Sequence, residues 1–463
     1  MRTAATRRRL GLGALGAIAS LAVALGVAGC VPGSSGGSGP KESATQVKDV
    51  PDPAQAGDVT LRVWDQEVRG GQDKTLKALN AAFEKKYPNI KIERTSRSFS
   101  DLRTTLKLAI SDDNPPDVVQ ANQGYGSMVS FAQADLLRPM DDYATVFGWE
   151  DRFPKPLLDL NRVSADKKSF GSGNLYGLSQ AGEYIGIYFN KDILKKAGVA
   201  EPKTWEEFLA SMPALKAKGE LPVQFGNLDK YPAIHTFGAL QANAGNPQDI
   251  RDTIYGSGPG FETDQTTSAA QTLASWAKDG YIPESANGLG YDDAAKQFAD
   301  GKGAYLITGT WELPEVEPTL GDKLGFMPPP AKDGAAGPVT TGGEGLAWSI
   351  TSKSKHDDVA AAYIDFISNA EAADVMTTNG ILPIVPGKEA EKLPEGSPQA
   401  AMFAGWKQLS ENDGLVPYLD YSSPSFFDTS SEQLQLLIDG RVGPDEFAKN
   451  LNKDYRDFQD GNK

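Results

Sequence analysis

Strand-like and helix-like apolar patterns alternate along the first part of the chain that can bury a core. Apolar residues alternate with polar ones at 59–63 and then recur at helical spacing from 76 to 87. A short strand at 90–92, a helix at 102–110 and a buried strand at 117–119 continue this order. Because β-α-β-α-β order builds a sheet with helices on both faces, we predict the α/β fold class.

The second half of the chain uses the same two patterns. Strands are predicted at 185–189, 304–308, 324–327 and 346–350, and amphipathic helices at 359–367 and 447–458. Thr204 and Glu207 form a capping box, in which each side chain satisfies a free amide at a helix start. The chain after residue 58 is longer than one hydrophobic core usually supports, so we expect two lobes.

The N-terminus has the layout of an export signal. Arg2 and the arginines at 7–9 precede an apolar stretch at 10–28, and Gly29 precedes Cys30, the only cysteine. This order resembles the lipobox of bacterial lipoproteins, which implies that 1–29 is a signal peptide and that Cys30 anchors the protein to the outer face of the cell membrane. The alternatives are an ordinary signal peptide or a membrane anchor, and either general or twin-arginine export fits the arginines.

Residues 30–58 are rich in Gly, Ser and Pro, and we predict a flexible tether. No second stretch is long and apolar enough to suggest a membrane span. Removing the four arginines of 1–29 lowers the net charge from −15 by four, to −19, which argues against nucleic acid as a partner.

Few residues are available for cofactor or nucleophile chemistry. Two histidines and one lipidated cysteine exclude a Cys/His metal cluster and a Cys/His nucleophile pair. The Gly-x-x-x-x-Gly-Lys-Ser/Thr phosphate loop is also missing from the sequence. We therefore expect no cofactor, no metal and no enzymatic activity.

Seven short segments occur in the order known from one family. They resemble the family 1 extracellular solute-binding proteins, the maltose-binding-protein class that serves sugar ABC transporters. The matching segments are 79–90, 175–178, 187–192, 202–208, 298–304, 309–311 and 342–346.

The resemblance implies a periplasmic-binding-protein-like fold of type II, with two α/β lobes joined by a hinge of crossing segments. The implied lobes are 59–181 plus 329–379, and 182–328 plus 380–463, with crossings near 180–183, after 327–328 and near 380–386. It also implies that a monomer binds a mono- or oligosaccharide and delivers it, by hinge closure, to ABC permease subunits in the membrane.

Sugars offer hydroxyls to polar groups and C–H faces to aromatic rings, so a sugar site mixes carboxylates, amides and aromatics. In open α/β sheets such groups collect at the carboxyl ends of strands. Trp64 and Asp65 follow the first predicted strand, and Gln123 and Tyr125 follow the strand at 117–119. We predict these four as ligand-binding residues, with core packing or a solvated turn as the alternative for each.

Six further candidates come partly from the resemblance. It implies ligand contacts for Glu183 at the first crossing and for Trp311, the strongest single candidate, after the strand at 304–308. It also implies aromatic contacts near Asn227 and Tyr231 and at Phe427, expected in a loop. Glu344 lies in what we predict to be a glycine-rich turn at 340–345. His235, close to Tyr231, is expected to be structural.

Two other functions remain open from the sequence. A secreted glycosidase or lyase built on paired carboxylates needs no histidine, and the 61 Asp and Glu residues make some pairing inevitable. A scaffold lipoprotein that binds cell-wall polymer or a partner protein is the second alternative. Sugar turnover would favour the first, and failure to close on any small ligand would favour the second.

Overall fold

The computed structural model of the protein describes residues 49–462. The predicted signal peptide, Cys30 and most of the predicted tether lie outside this range. Within it, none of the helices combines the length and the apolar character that crossing a bilayer requires.

Twelve strands and eighteen α-helices make up this part of the chain. The strands are β1 Val59–Asp65, β2 Ile90–Ser96, β3 Val118–Ala121, β4 Arg162–Val163, β5 Asn174–Leu175, β6 Gly182–Asn190, β7 Val223–Gln224, β8 Tyr305–Gly309, β9 Leu324–Met327, β10 Thr340–Glu344, β11 Ala347–Ile350 and β12 Leu415–Val416.

The first nine helices are α1 Gly70–Lys86, α2 Phe99–Ser111, α3 Ser130–Gln133, α4 Asp141–Phe147, α5 Trp149–Arg152, α6 Lys155–Asp159, α7 Lys191–Ala197, α8 Trp205–Ala217 and α9 Tyr231–Ala244. The others are α10 Pro247–Ile254, α11 Asp264–Lys278, α12 Tyr291–Ala299, α13 Leu313–Leu320, α14 Asp357–Ile367, α15 Ala370–Thr378, α16 Pro398–Glu411, α17 Phe426–Ile438 and α18 Pro444–Gly461.

The first sheet is the centre of the first lobe. Its strand order is β11-β3-β1-β2, with β1 parallel to both β2 and β3 and with β11 antiparallel to β3. Leu61 and Val63 of β1 and Val118 and Val119 of β3 are fully buried, because helices such as α1 and α14 cover the sheet. The predicted β-α-β-α-β order at 59–121 is confirmed.

The second sheet is the centre of the second lobe. Its strand order is β12-β10-β6-β8-β7, and β9 also pairs with β6. The long strand β6 is buried along its whole length, since β8 lies on one edge while β10 and β9 share the other. At α8, Thr204 accepts from the amide of Glu207 (3.2 Å), and the Glu207 carboxylate accepts from the amide of Lys203 (2.7 Å).

Three segments run between the sheets and are hydrogen bonded around Ala181. The amide of Gly345 donates to the carbonyl of Ala181 (2.9 Å), and Leu178 pairs with Trp348. On the other side, the amide of Gly182 donates to the carbonyl of Leu382 (2.9 Å). These contacts put the segments that contain Ala181, Gly345 and Leu382 side by side between the two sheets.

The position of the remaining crossing differs from the prediction. We expected the chain to return to the first lobe after 327–328, but β10 pairs with β6 and β12 and therefore belongs to the second sheet. The crossing falls at 345–346, between β10 and β11. Glu344, expected in a turn, is the last residue of β10, and Phe427, expected in a loop, lies in the first turn of α17.

Candidate functional site

A cleft lies between the two sheets and has a volume of about 630 Å³, including the part that is open to solvent. Clefts of this size are typical of small-molecule sites. The first lobe contributes Gln66, Arg69, Gln72, Phe99, Asn122 and Leu346. The second lobe contributes Glu183, Tyr231, Ile234, His235, Trp311, Glu344, Tyr418, Asp420, Tyr421 and Phe427.

Trp311 is held in a fixed orientation at this cleft. The residue follows β8, and its indole Nε1 donates to the hydroxyl of Tyr291 (2.8 Å), which in turn donates to the carboxylate of Glu312 (2.6 Å). A Cβ atom at Gly309 would lie 2.0 Å from the Trp311 ring, so only glycine there leaves room for the indole. The indole is therefore fixed in orientation where it lines the cleft, and an aromatic ring held in this way is what stacking on a sugar requires.

Glu183 enters the cleft from the start of β6. Its carboxylate accepts no hydrogen bond from any residue between 49 and 462, and the 8% of the residue that stays exposed faces the cleft. Burial, together with the negative charges of Glu67 and Glu344, raises the pKa of Glu183 to about 8. A buried carboxylate without a donor is costly, so this group is arranged to accept from something that enters the cleft.

Glu344 belongs to a network of polar side chains. Its carboxylate accepts from Asn161 (2.6 Å) and from Gln123 (3.0 Å), and Gln123 accepts from the hydroxyl of Tyr421 (3.0 Å). Burial outweighs these bonds and raises the pKa of Glu344 to about 8. The network fixes the carboxylate and the phenol at the cleft wall, which favours specific recognition of a polar ligand.

Arg69 reaches across the cleft from the N-terminus of α1. Its guanidinium lies 2.9 Å from the carboxylate of Asp292 and donates to the hydroxyl of Tyr231 (3.2 Å). Its Nε lies 3.9 Å from the buried carboxylate of Glu312. A cation of the first lobe is therefore surrounded by acceptors of the second lobe.

Aromatic side chains from both lobes meet at another part of the cleft. Phe99, at the start of α2, packs edge-on against Tyr231 with ring centroids 5.6 Å apart, and it lies 6.1 Å from Phe427. The His235 ring contacts Trp311, and burial lowers the pKa of His235 to about 3. The imidazole is therefore neutral at physiological pH.

Polar groups also meet across the cleft. Asn122 donates to the carboxylate of Asp420 (3.1 Å), and burial raises the pKa of Asp420 to about 6. The cleft thus combines aromatic faces with fixed carboxylates, amides and one guanidinium.

The ten candidate residues fall into three groups. Glu183, Tyr231, Trp311, Glu344 and Phe427 line the cleft. Gln123 is fully buried behind the wall and orients Glu344. The remaining four lie away from the cleft wall.

Two of these four have structural roles at the end of β1. Asp65 was expected at the cleft rim, but it is fully buried and its carboxylate accepts two hydrogen bonds from Arg94 (2.7 and 2.8 Å). Trp64 packs under the guanidinium of Arg97, 4.5 Å from the ring centroid.

The other two stabilise the second lobe and its contact with the first. Asn227 is fully buried and accepts from the amide of Ala233, in the first turn of α9, at 3.0 Å. The ring of Tyr125 lies 5.3 Å from Phe170 and 4.6 Å from Phe458 of α18, inside an aromatic cluster. Trp64, Asp65, Tyr125 and Asn227, predicted as ligand contacts, are therefore not among the residues that line the cleft.

Several lining residues were not predicted. Tyr418, Asp420 and Tyr421 follow β12, which has only two residues and gives no periodic signal. Arg69 directly precedes α1, and its residue type does not distinguish it in the sequence from the many other charged residues, most of which are expected at the surface. Its only signal was its position shortly after β1, where the carboxyl end of a strand opens into the cleft.

No group of three or more His, Cys, Asp or Glu side chains between residues 49 and 462 is arranged to hold a metal ion.

Residues 69–374 match the family of bacterial extracellular solute-binding proteins. The multiple sugar-binding protein of Streptococcus mutans is 26% identical over 327 residues, which are 68% of this chain and 72% of that protein. The melibiose/raffinose/stachyose-binding protein MelE of Bacillus subtilis is 22% identical, over 86% of this chain and 89% of that protein.

A solved structure of a chitin oligosaccharide binding protein has the same fold. It superimposes with a TM-score of 0.75 at 22% identity and covers 87% of this chain and all of that chain (100%). The predicted α/β fold with two lobes joined by crossing segments is confirmed. Because the family match spans most of the chain, the protein belongs to the bacterial extracellular solute-binding proteins.

Proposed function

We propose that the protein binds a mono- or oligosaccharide outside the cytoplasm and presents it to an ABC importer. The observation that carries the proposal is the oriented face of Trp311 beside the unpaired carboxylate of Glu183, because a sugar ring needs both an apolar face and hydroxyl acceptors. The names of the relatives from Streptococcus mutans and Bacillus subtilis support the same ligand class.

Binding is proposed to work through closure of the two lobes. Trp311, Tyr231 and Glu183 bind the sugar from the second lobe, while Asn122 and Gln72 close on it from the first lobe. The crossing segments around Ala181 and Gly345 provide the hinge. The closed form then differs in shape from the open form, which lets a permease distinguish the loaded protein.

The cell-surface location is part of the proposal. We propose that Cys30 is acylated after export, that residues 30–58 act as the tether, and that the protein acts as a monomer beside membrane-bound permease subunits. Labelling with a radioactive fatty acid tests the anchor: wild type should carry the label, and Cys30→Ser should lose it and appear in the medium. A label retained by Cys30→Ser would overturn the anchor.

The role is proposed to be that of a receptor without catalysis. Isothermal titration calorimetry of the purified protein with mono- and oligosaccharides should give a dissociation constant near micromolar for at least one sugar. This corresponds to a binding free energy of about −8 kcal/mol. Chromatography of the same mixtures should recover the sugar unchanged. Cleaved sugar would favour a glycosidase, and no binding to any sugar after removal of carried-over ligand would favour a scaffold.

A further inference from the structure

A small side cavity opens off the cleft behind Trp311. It shares Gln72, Glu183 and Trp311 with the cleft and extends towards the crossing segments. Its other lining residues include Glu67, Gln180 and, from the crossing segments, Ala181 and Leu382. Its empty volume is about 380 Å³, against about 630 Å³ for the cleft, and the part that the centre of a water-sized group can occupy is about 20 Å³, enough for roughly one such group.

Three buried side-chain oxygens around this cavity lack a hydrogen-bond donor. Oε2 of Glu67 and the Oε1 atoms of Gln72 and Gln180 are buried and accept from no residue in the described part of the chain. The Glu183 carboxylate lines both this cavity and the open cleft. Each of these residues is at least nine-tenths buried. Buried acceptors without donors are rare in proteins, so a group that donates several hydrogen bonds fits here.

The charges around the cavity are also unbalanced. Glu67 and Glu183 both line it, and the two guanidinium groups that act on Glu67 are each paired with another carboxylate, Arg94 with Asp65 and Arg69 with Asp292. Burial, helped by the negative charge of Asp65, raises the pKa of Glu67 to about 7 although Arg94 and Arg69 oppose this shift. A positive charge placed here would stabilise both carboxylates.

We propose that the side cavity receives the ammonium group of an aminated sugar. This inference rests on the proposed sugar-binding function and narrows its ligand class. An ammonium group is water-sized, donates three hydrogen bonds and carries a positive charge, whereas a hydroxyl group donates one hydrogen bond and carries no charge. Because Trp311 lines both spaces, a ring stacked on its indole directs a ring substituent into the cavity.

The test compares sugars that differ only at one nitrogen or oxygen. The probes are D-glucosamine, D-galactosamine and D-mannosamine, their neutral parent sugars and their N-acetyl derivatives, titrated into the purified protein by calorimetry. At least one amine should bind about tenfold more tightly than both its neutral parent and its N-acetyl derivative, a difference of about 1.4 kcal/mol. Glu67→Gln, which keeps the shape and removes the charge, should reduce this ratio to below about threefold.

Two further variants keep the test decisive if Glu67→Gln folds poorly. Gln180→Met removes one acceptor from the cavity only and should also reduce the ratio. Glu432→Gln, the same substitution at an exposed position of α17, should leave the ratio unchanged. If wild type bound the amine and its neutral parent sugar with equal affinity, the ammonium site would be overturned, and the proposed sugar-binding function would still hold. No binding of any sugar would overturn both.

An inorganic cation is the alternative occupant of the side cavity that remains to be tested. The measurement is the change in the thermal unfolding midpoint when choline chloride is replaced by potassium or ammonium chloride at equal ionic strength. This change should be the same for wild type and for Glu67→Gln. A rise specific to wild type would mean that the cavity binds a free cation, which would overturn the proposal.

Discussion

Nη2 of Arg69 lies 2.9 Å from Oδ1 of Asp292, so a residue of the first lobe is ion-paired with the second lobe across the mouth of the cleft. The Asp292 side chain is 79% exposed, and water screens such a pair strongly. The same guanidinium faces the buried Glu312, whose side chain is 2% exposed. Removing the exposed contact of Arg69 with Asp292 should therefore affect binding less than removing its buried contact with Glu312.

Asp292→Asn should have a small effect on ligand binding. An exposed ion pair contributes about 0–1 kcal/mol, so the dissociation constant should rise by less than about fivefold and the difference should shrink at high salt. Calorimetry at low and high salt measures this. Asp293→Asn, one residue further along α12 and also exposed, is the matched control. A loss of binding that salt does not change would contradict the screened ion pair.

Arg69→Met should weaken binding more than Asp292→Asn does. The substitution keeps much of the apolar stem but leaves the Glu312 carboxylate without its cation and Tyr231 without a hydrogen-bond partner from the first lobe. We expect an increase of at least about tenfold in the dissociation constant, since removing one partner of a buried charge is costly. Equal effects of the two variants in calorimetry would show that Glu312 does not depend on Arg69.

Trp311→Leu should reduce affinity at least about tenfold, because hot-spot aromatics typically contribute 2 kcal/mol or more to binding. Trp64→Leu is the matched control, since Trp64 packs under Arg97 outside the cleft. Calorimetry gives the affinity, and circular dichroism checks that both variants remain folded. If Trp64→Leu lowered affinity as much as Trp311→Leu, stacking on Trp311 would lose its support.

Asp65→Asn should destabilise the protein without altering the cleft. Asp65 is fully buried and bonded twice to Arg94, so the variant leaves a largely buried guanidinium without its carboxylate. The expected loss is about 3 kcal/mol in the free energy of unfolding, measured by urea titration. Affinity under native conditions should stay within about threefold of wild type. Unchanged stability with lost affinity would restore Asp65 as a ligand contact.

Glu183 should make the ligand-free protein less stable as pH rises. The pKa of its carboxyl group is about 8 in the folded protein against an ordinary value of 4.5, with Glu67, Glu344, Tyr418 and Arg69 as its charged or titratable neighbours. Between these values the folded state holds a proton that the unfolded state has lost. The stability that Glu183 contributes is therefore complete below about pH 4.5 and is lost as the pH rises towards 8.

Urea titration of wild type and Glu183→Gln from pH 5 to pH 8 measures this effect. Wild type should lose at least about 1 kcal/mol more than the variant over this window, since one pKa unit corresponds to about 1.4 kcal/mol. Parallel curves would mean that another group controls the pH dependence.

The sequence predicted the strands and helices well because their periodicity is local. Buried strands such as β1 and β3, and the helix behind them, follow directly from the spacing of apolar residues. Trp311 and Glu183 were predicted as ligand contacts from chain order, after a strand and at a crossing, and the structure places both residues in the cleft wall. The resemblance to known solute-binding proteins was the other reason for predicting these two residues as ligand contacts.

The errors concern contacts between residues that are distant in sequence. Asp65 and Arg94 meet because β1 and β2 pair in parallel with Asp65 opposite Ser96, and that register is not visible in either strand alone. The assignment of β10 to the second sheet likewise depends on its pairing with β6. Asp420 and Tyr421 follow a strand of two residues, which is too short to leave a pattern.

The pairing of β11 with β3 has a consequence for the biosynthesis of this protein. The first sheet receives β11 only after the whole segment from β6 to β10, which builds most of the second sheet, has been made. Until then β3 has an unpaired edge although all four of its residues are buried in the folded protein, and such edges promote aggregation. A chain held unfolded during export would avoid this interval, whereas a chain that folds while it is still being synthesised would pass through it.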